Sequence, residues 1–211
     1  MEDQKVIKVF HYFIPNILLA NMNYSRILKS AFDTYFNAPV DVWDQFVEYC
    51  EFVTFGKDEI IKHQNTTEHF FYFIIKGSAG VFLWKENNFV CLDFAFDHHF
   101  CSDFMSFFTN QPTPLQVVAL ENCEMLRISA SNYNILTQTT VGSSIRIIAA
   151  EVAFANKQQQ QIELLTKKAI ERYEILLQKF PDIYNRIAQN HIASYLGITP
   201  QSLSRIRRQP K

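Results

Sequence analysis

Near Ser131 the hydrophobic pattern of this chain changes period and does not change back. Upstream, Phe52–Phe55, Ile60-Ile61, Phe70–Ile75, Val81–Trp84, Phe89–Phe96, Val117–Leu120 and Met125–Ile128 are short runs rich in β-branched and aromatic residues. Turn signals separate them at Gly56-Lys57-Asp58, Lys76-Gly77-Ser78, Lys85-Glu86-Asn87-Asn88 and Glu121-Asn122. Many short strands joined by tight turns make a barrel, roll or sandwich. Downstream, Thr140–Phe180 reads as helix, free of proline and with Gly142 close to its start. The pattern predicts an α+β protein: a jelly-roll-like β unit first, then a long helix, then an all-α unit. Two short helices are expected across Tyr24–Tyr49, split at Asn37-Ala38-Pro39, and one more at Ser102–Phe108 inside the β region.

With 20 Phe and 9 Tyr against 5 Gly, rings must fill much of the interior, and no glycine-rich phosphate cradle can be assembled. Phe71, Phe73, Phe82, Phe89, Phe94 and Phe96 could fill the β unit completely, the alternative being an empty polar cavity. Cys50, Cys91, Cys101 and Cys123 form no C-x-x-C pair, so reduced core thiols are expected and no metal site. No run reaches the ~18 apolar residues of a membrane span. Val9–Ala20 is apolar, but it follows Met1-Glu2-Asp3 and contains His11, Pro15 and Asn16, which does not suit a secretion signal. A cytoplasmic protein without a membrane partner is expected, with residues 1–23 as an N-terminal arm. No nucleophile–base pair or framed carboxylate pair is present, so the chain does not read as an enzyme.

Net charge is −1, but residues 1–165 carry 11 basic and 18 acidic side chains while residues 166–211 carry 9 and 3. A basic unit therefore follows an acidic body, as a nucleic-acid contact or as a solvated basic tail. Within the long helix, Ile145, Ile148, Val152, Ala155, Gln159, Ile162 and Thr166 follow the a/d spacing of a two-stranded coiled coil, with Gln159 as a register-setting polar residue. The same spacing also fits an amphipathic helix packed on its own β unit. The expected organisation is a β unit over 24–138, a dimerisation helix over 139–165 and a terminal unit over 166–211.

Gln189–Arg208 has the parts of a helix-turn-helix in order. Ala193 is small where two helices cross, Gly197 suits a left-handed turn, and Ile192, Leu196, Ile198, Leu203 and Ile206 supply a small core. Thr199-Pro200 restarts a helix with a capping hydroxyl and a proline at its first position. In such a unit the second helix enters the major groove, with Gln201, Ser202 and Arg205 near base edges, Arg207, Arg208 and Lys211 near phosphates, and the capping Thr199 as a further candidate DNA contact. A helical hairpin that contacts protein is the alternative.

This order of parts resembles the Crp/Fnr family of bacterial transcription regulators over about residues 40–208. The resemblance rests on Phe71–Gly77, on Phe94-Ala95-Phe96 followed by Phe100–Phe104, on Val117–Glu121 with Glu124–Ser129, and on Ile192–Arg208. It implies a β-roll sensor, a homodimer, an inverted-repeat operator in double-stranded DNA, and RNA polymerase as a candidate partner. Cyclic-nucleotide binders of the family present a Gly-Glu pair and, about ten residues on, an Arg followed by Ser or Thr, because a buried cyclic phosphate needs a guanidinium fork. Here Ser102-Asp103 and Thr113-Pro114 stand at those places, and no Arg lies between Lys85 and Arg127. Ser102, Asp103 and Thr113 remain candidate ligand contacts, but cyclic AMP is not expected to bind and no cofactor is predicted. A haem-based variant would draw on His63, His69, His98 or His99, and a regulator acting through a protein partner would use the acidic body.

Overall fold

The computed structural model describes residues 24–85 and 88–208, so the expected arm at 1–23 and Lys211 lie outside the described residues. Helices α1 (Tyr24–Phe32) and α2 (Val40–Glu48) come first and break at Asn37-Ala38-Pro39. The strands that follow are β1 (Cys50–Phe55), β2 (Ile60–Lys62), β3 (Phe70–Lys76), β4 (Ala79–Lys85), β5 (Asn88–Ala95), β6 (Phe100–Cys101), β7 (Leu115–Ala119) and β8 (Cys123–Ser129). A short helix, α3 (Phe104–Thr109), separates β6 from β7. These strands form two antiparallel sheets in the orders β1-β8-β3-β6 and β2-β7-β4-β5, the β-roll that the strand pattern predicts.

The inner faces of the two sheets enclose Tyr72, Ile74, Ala79, Ala95, Cys101, Val117, Ala119, Cys123 and Met125, with Phe55 and Phe70 at the margin. The six phenylalanines that could have filled the roll lie outside this inner cluster. Successive strand residues point to opposite faces, and the register of β3 sends Tyr72 and Ile74 inward and Phe71 and Phe73 outward. Phe71 and Phe73 meet α1 and α2 through Phe32, Trp43 and Phe46. On the other sheet Phe82, Phe89, Phe94 and Phe96 face the C-terminal helices. Each buried ring contributes about 1.5–3 kcal/mol, so these rings attach helices to both outer faces instead of filling the middle.

The remaining helices are α4 (Ala130–Leu136), α5 (Thr140–Thr166), α6 (Ala169–Lys179), α7 (Ile183–Arg186), α8 (Gln189–Tyr195) and α9 (Pro200–Arg207). The helix expected to continue through Phe180 stops at Thr166, where Lys167 turns extended. Two side chains stabilise the break. Glu171 accepts the Lys168 amide at 2.6 Å and starts α6, and Arg172 donates to the freed Lys167 carbonyl at 2.5 Å. Among the described residues no helix is long and apolar enough to cross a membrane.

Candidate functional site

The C-terminal unit is built around one tight turn. Gly197 takes φ +66° after α8, a backbone region that costs a side chain. Thr199 Oγ1 accepts the Ser202 amide at 3.2 Å, and Pro200 opens α9. Ile192, Ala193, Leu196 and Leu203 are all buried between α8 and α9. Gln189 fixes the crossing from the other side by donating to the Pro200 carbonyl at 3.1 Å and to Ser204 Oγ at 2.7 Å. With Leu203 anchored, Thr199, Gln201, Arg205, Arg207 and Arg208 are exposed and Ser202 is half-buried. Arg205 reaches back to Ser202 Oγ at 3.2 Å, and the Arg207 guanidinium lies 4.1 Å from the Tyr184 ring centre. The outward face therefore offers an amide, hydroxyls and guanidinium groups and no carboxylate.

The candidate ligand residues of the roll do come together, but facing inward. Asp103 caps α3 by accepting the Ser106 amide through Oδ1 at 3.0 Å, and its Oδ2 accepts the Thr113 hydroxyl. Ser102 donates to the Phe70 carbonyl at 2.9 Å. Into this cluster reaches Lys62, whose position in β2 drew no notice in the sequence. Its ammonium donates to Asp103 Oδ2 at 2.7 Å, Thr113 Oγ1 at 2.9 Å and the Leu115 carbonyl at 2.9 Å. The Thr113 carbonyl stands at 3.5 Å as a weaker fourth acceptor, so the three N–H donors of the ammonium are all satisfied. The Lys62 and Asp103 side chains are only 3% and 0% exposed. Beside them Glu68 is buried too, and burial pushes its carboxyl up to about 7 against the pull of the Phe70 and His69 amides and of Lys62. The signal available in the sequence was a lysine ending the apolar Ile60-Ile61 run.

The expected seam of α5 is divided by the structure. Ile145 packs against the core of its own roll. Ile148 and Val152 line a groove of about 950 Å³ between α5 and the roll, together with Phe32, Phe71 and Phe100. Gln159 is exposed and donates to Glu163 at 2.8 Å. Ile162 is exposed, and it joins a set the heptad reading did not select: Ile147 at 50%, Phe154 at 65% and Leu165 at 76% exposure.

His98 stacks on Phe73, while His99 Nδ1 accepts the Phe96 amide at 3.2 Å. Among the described residues no group of three His, Cys, Asp or Glu side chains could hold a metal ion.

Helices α6 to α8 dock on the outer face of the β2-β7-β4-β5 sheet. His191 sits between Phe82 and Phe89, and Tyr195 and Phe180 rest on Phe94 and Phe96. Strand β5 is an edge, and α8 covers it: Ser194 Oγ donates to the Phe89 carbonyl at 3.1 Å and accepts the Cys91 amide at 2.9 Å. Covering a free edge also protects it from pairing with another chain.

Residues 52–140 match the cyclic nucleotide-binding domain family. Comparison with curated proteins by sequence finds no match. Solved structures are similar over most of their length. The c-di-GMP responsive global regulator CLP of Xanthomonas campestris is 14% identical with a TM-score of 0.60, covering 80% of this chain and 89% of that one. FixK2 of Bradyrhizobium japonicum is 15% identical with a TM-score of 0.63, covering 75% and 82%. The catabolite activator protein of Thermus thermophilus is 17% identical with a TM-score of 0.52, covering 81% and 82%. Residues 52–140 thus resemble a cyclic nucleotide-binding domain, and the described residues share the fold of these solved structures.

Proposed function

We propose that this chain, with its Crp/Fnr-type fold, is a homodimeric, sequence-specific DNA-binding transcription regulator whose sensor domain does not respond to cyclic AMP. The observation that carries the reading is the outward face of α9. A capped, proline-started helix follows a left-handed glycine, and its exposed row holds Gln201, Arg205 and Arg208. Gln suits adenine and Arg suits guanine in the major groove. Two copies paired along α5 would present this row twice about a two-fold axis, so the operator is an inverted repeat with half-sites about one helical turn apart. Such a protein works in the cytoplasm beside RNA polymerase.

Selection from random duplexes tests the reading. It should return an inverted repeat, and binding should weaken steeply with salt. Arg205→Ala should then cost about 1–3 kcal/mol and relax preference at one base pair per half-site. An equal loss on all sequences would make Arg205 a phosphate contact, and a protein that selects no duplex would overturn the reading.

The cyclic AMP part rests on Lys62. A cyclic phosphate entering beside Ser102, Asp103 and Thr113 would find their hydroxyls and carboxylate already bonded, and the nearby ammonium committed to Asp103. Burying its charge without a partner is too costly to allow tight binding. Calorimetric titration with cyclic AMP or cyclic GMP should show no sub-micromolar site; a sub-micromolar site would overturn this.

A further inference from the structure

Arg186, the last residue of α7, has no role legible in the sequence, and the structure supplies it with several partners. Its Nη1 donates to Asp97 Oδ2 at 2.6 Å. Nε and Nη2 donate to Glu121 Oε2 at 3.0 and 2.7 Å, and Nη2 also donates to the Gly77 carbonyl at 2.9 Å. Its guanidinium lies 5.0 Å from the Phe96 ring centre. Asp97, Glu121 and Gly77 belong to three different turns at one end of the roll: β5–β6, β7–β8 and β3–β4. The turns are themselves tied, since Asp97 Oδ1 accepts the Gly77 amide at 2.8 Å. A single planar fork thus joins the segment leading into α8 and α9 to a rigid corner of the sensor domain.

Most of the other contacts across this boundary are rings: Phe82, Phe89, Phe94 and Phe96 against His191, Tyr195 and Phe180. Apolar contact is non-directional and lets helices slide, whereas charge-assisted bonds to a guanidinium fork fix both distance and angle. The roll is in turn tied to α5, through Ile145 and Ala149 against its core and through Lys157 on Asp93 at 2.6 Å and Gln160 on the Leu92 carbonyl at 3.1 Å. Whatever fixes the terminal unit on the roll therefore fixes α9 relative to α5.

We infer that Arg186 is a positioning residue: it sets the placement of α9 against the dimer axis, and with it the spacing between half-sites that the protein accepts. It does not contact DNA. The inference rests on the proposed DNA-binding function and deepens it, because it names what determines operator geometry.

The test uses the full-length protein and fluorescence anisotropy on duplexes carrying the selected half-site, either singly or as inverted repeats whose spacing changes by one base pair at a time. Arg186→Gln should keep single half-site affinity within about twofold, while the preference for the best spacing over its neighbours shrinks on the order of tenfold. Asp97→Asn combined with Glu121→Gln, which leaves the helix-turn-helix untouched, should flatten the spacing profile in the same way. Superimposable profiles for wild type and both variants would overturn the inference while leaving DNA binding intact. So would a fall in single half-site affinity, which would make Arg186 a stability residue of the terminal unit, or a uniform rise at every spacing, which would make it a restraint on binding. A wild-type protein that binds no duplex takes down the proposed function and this inference together.

Discussion

Lys62→Met should lower folding stability by about 3–5 kcal/mol, the loss expected when one member of a buried ion pair is removed. For a chain of this length that is on the order of 10 °C in Tm. The reason is the group left behind. Asp103 would keep its bonds from the Ser106 amide and the Thr113 hydroxyl, but its charge would have no counter-ion in a place water does not reach. Glu68 adds to the difficulty, because its own carboxyl is already pushed up to about 7 by burial and Lys62 is one of the groups pulling it down.

A second variant separates charge from shape. Lys62→Met combined with Asp103→Asn removes both charges, and the Asn oxygen can still accept the Ser106 amide. This pair should recover most of the loss, because replacing a whole buried ion pair is often close to neutral. Thermal and urea unfolding of the two variants measure the difference. A single variant within about 1 kcal/mol of wild type would mean that the pair does not hold the roll closed, and the argument against cyclic nucleotides would lose its basis.

The helix-turn-helix was legible because it is local. A small residue at the crossing, a glycine at the turn and Thr-Pro at the restart act within about a dozen residues, and each has one physical meaning. The inside of the roll was not legible in the same way. Both faces of β3 are covered, so alternation could not tell whether Tyr72 and Ile74 or Phe71 and Phe73 face inward. Lys62 is not legible as the partner of Asp103, because it reaches Asp103 and Thr113 only through the pairing of β2 with β7 and a register shift between Ile60 and Lys62. Arg186 was hidden for a similar reason: its partners lie 65, 89 and 109 residues away along the chain. Long-range pairing of charges leaves no periodic trace.

The long helix presents the sharpest case, because it has two apolar rows and the heptad pattern found one of them. The row containing Ile145 and Ala149 is taken by the helix's own roll, while Ile147, Phe154 and Leu165, beside Ile162 of the heptad row, remain at least half uncovered on the same helix. Apolar side chains of that size along one helix mark a contact surface, and a second copy of α5 is the occupant the proposed pairing supplies. Ile147→Glu with Phe154→Glu should therefore give a monomer in sedimentation. The variant should hold a single half-site as well as wild type does and lose about 10²–10⁴-fold on the inverted repeat, since the gain from binding both half-sites at once disappears. The comparison pair is Ile148→Glu with Val152→Glu, both half-buried in the groove that the more exposed Phe154 also borders. Charging those two also strains the packing of α5 on its own roll, so they should lower thermal stability as well as weaken the dimer, whereas Ile147→Glu with Phe154→Glu should leave Tm nearly unchanged when measured on a dissociated chain. A dimer that survives the Ile147 and Phe154 changes and is lost on charging Ile148 and Val152 would return the seam to the heptad row. A dimer that survives both would place the interface away from α5 altogether.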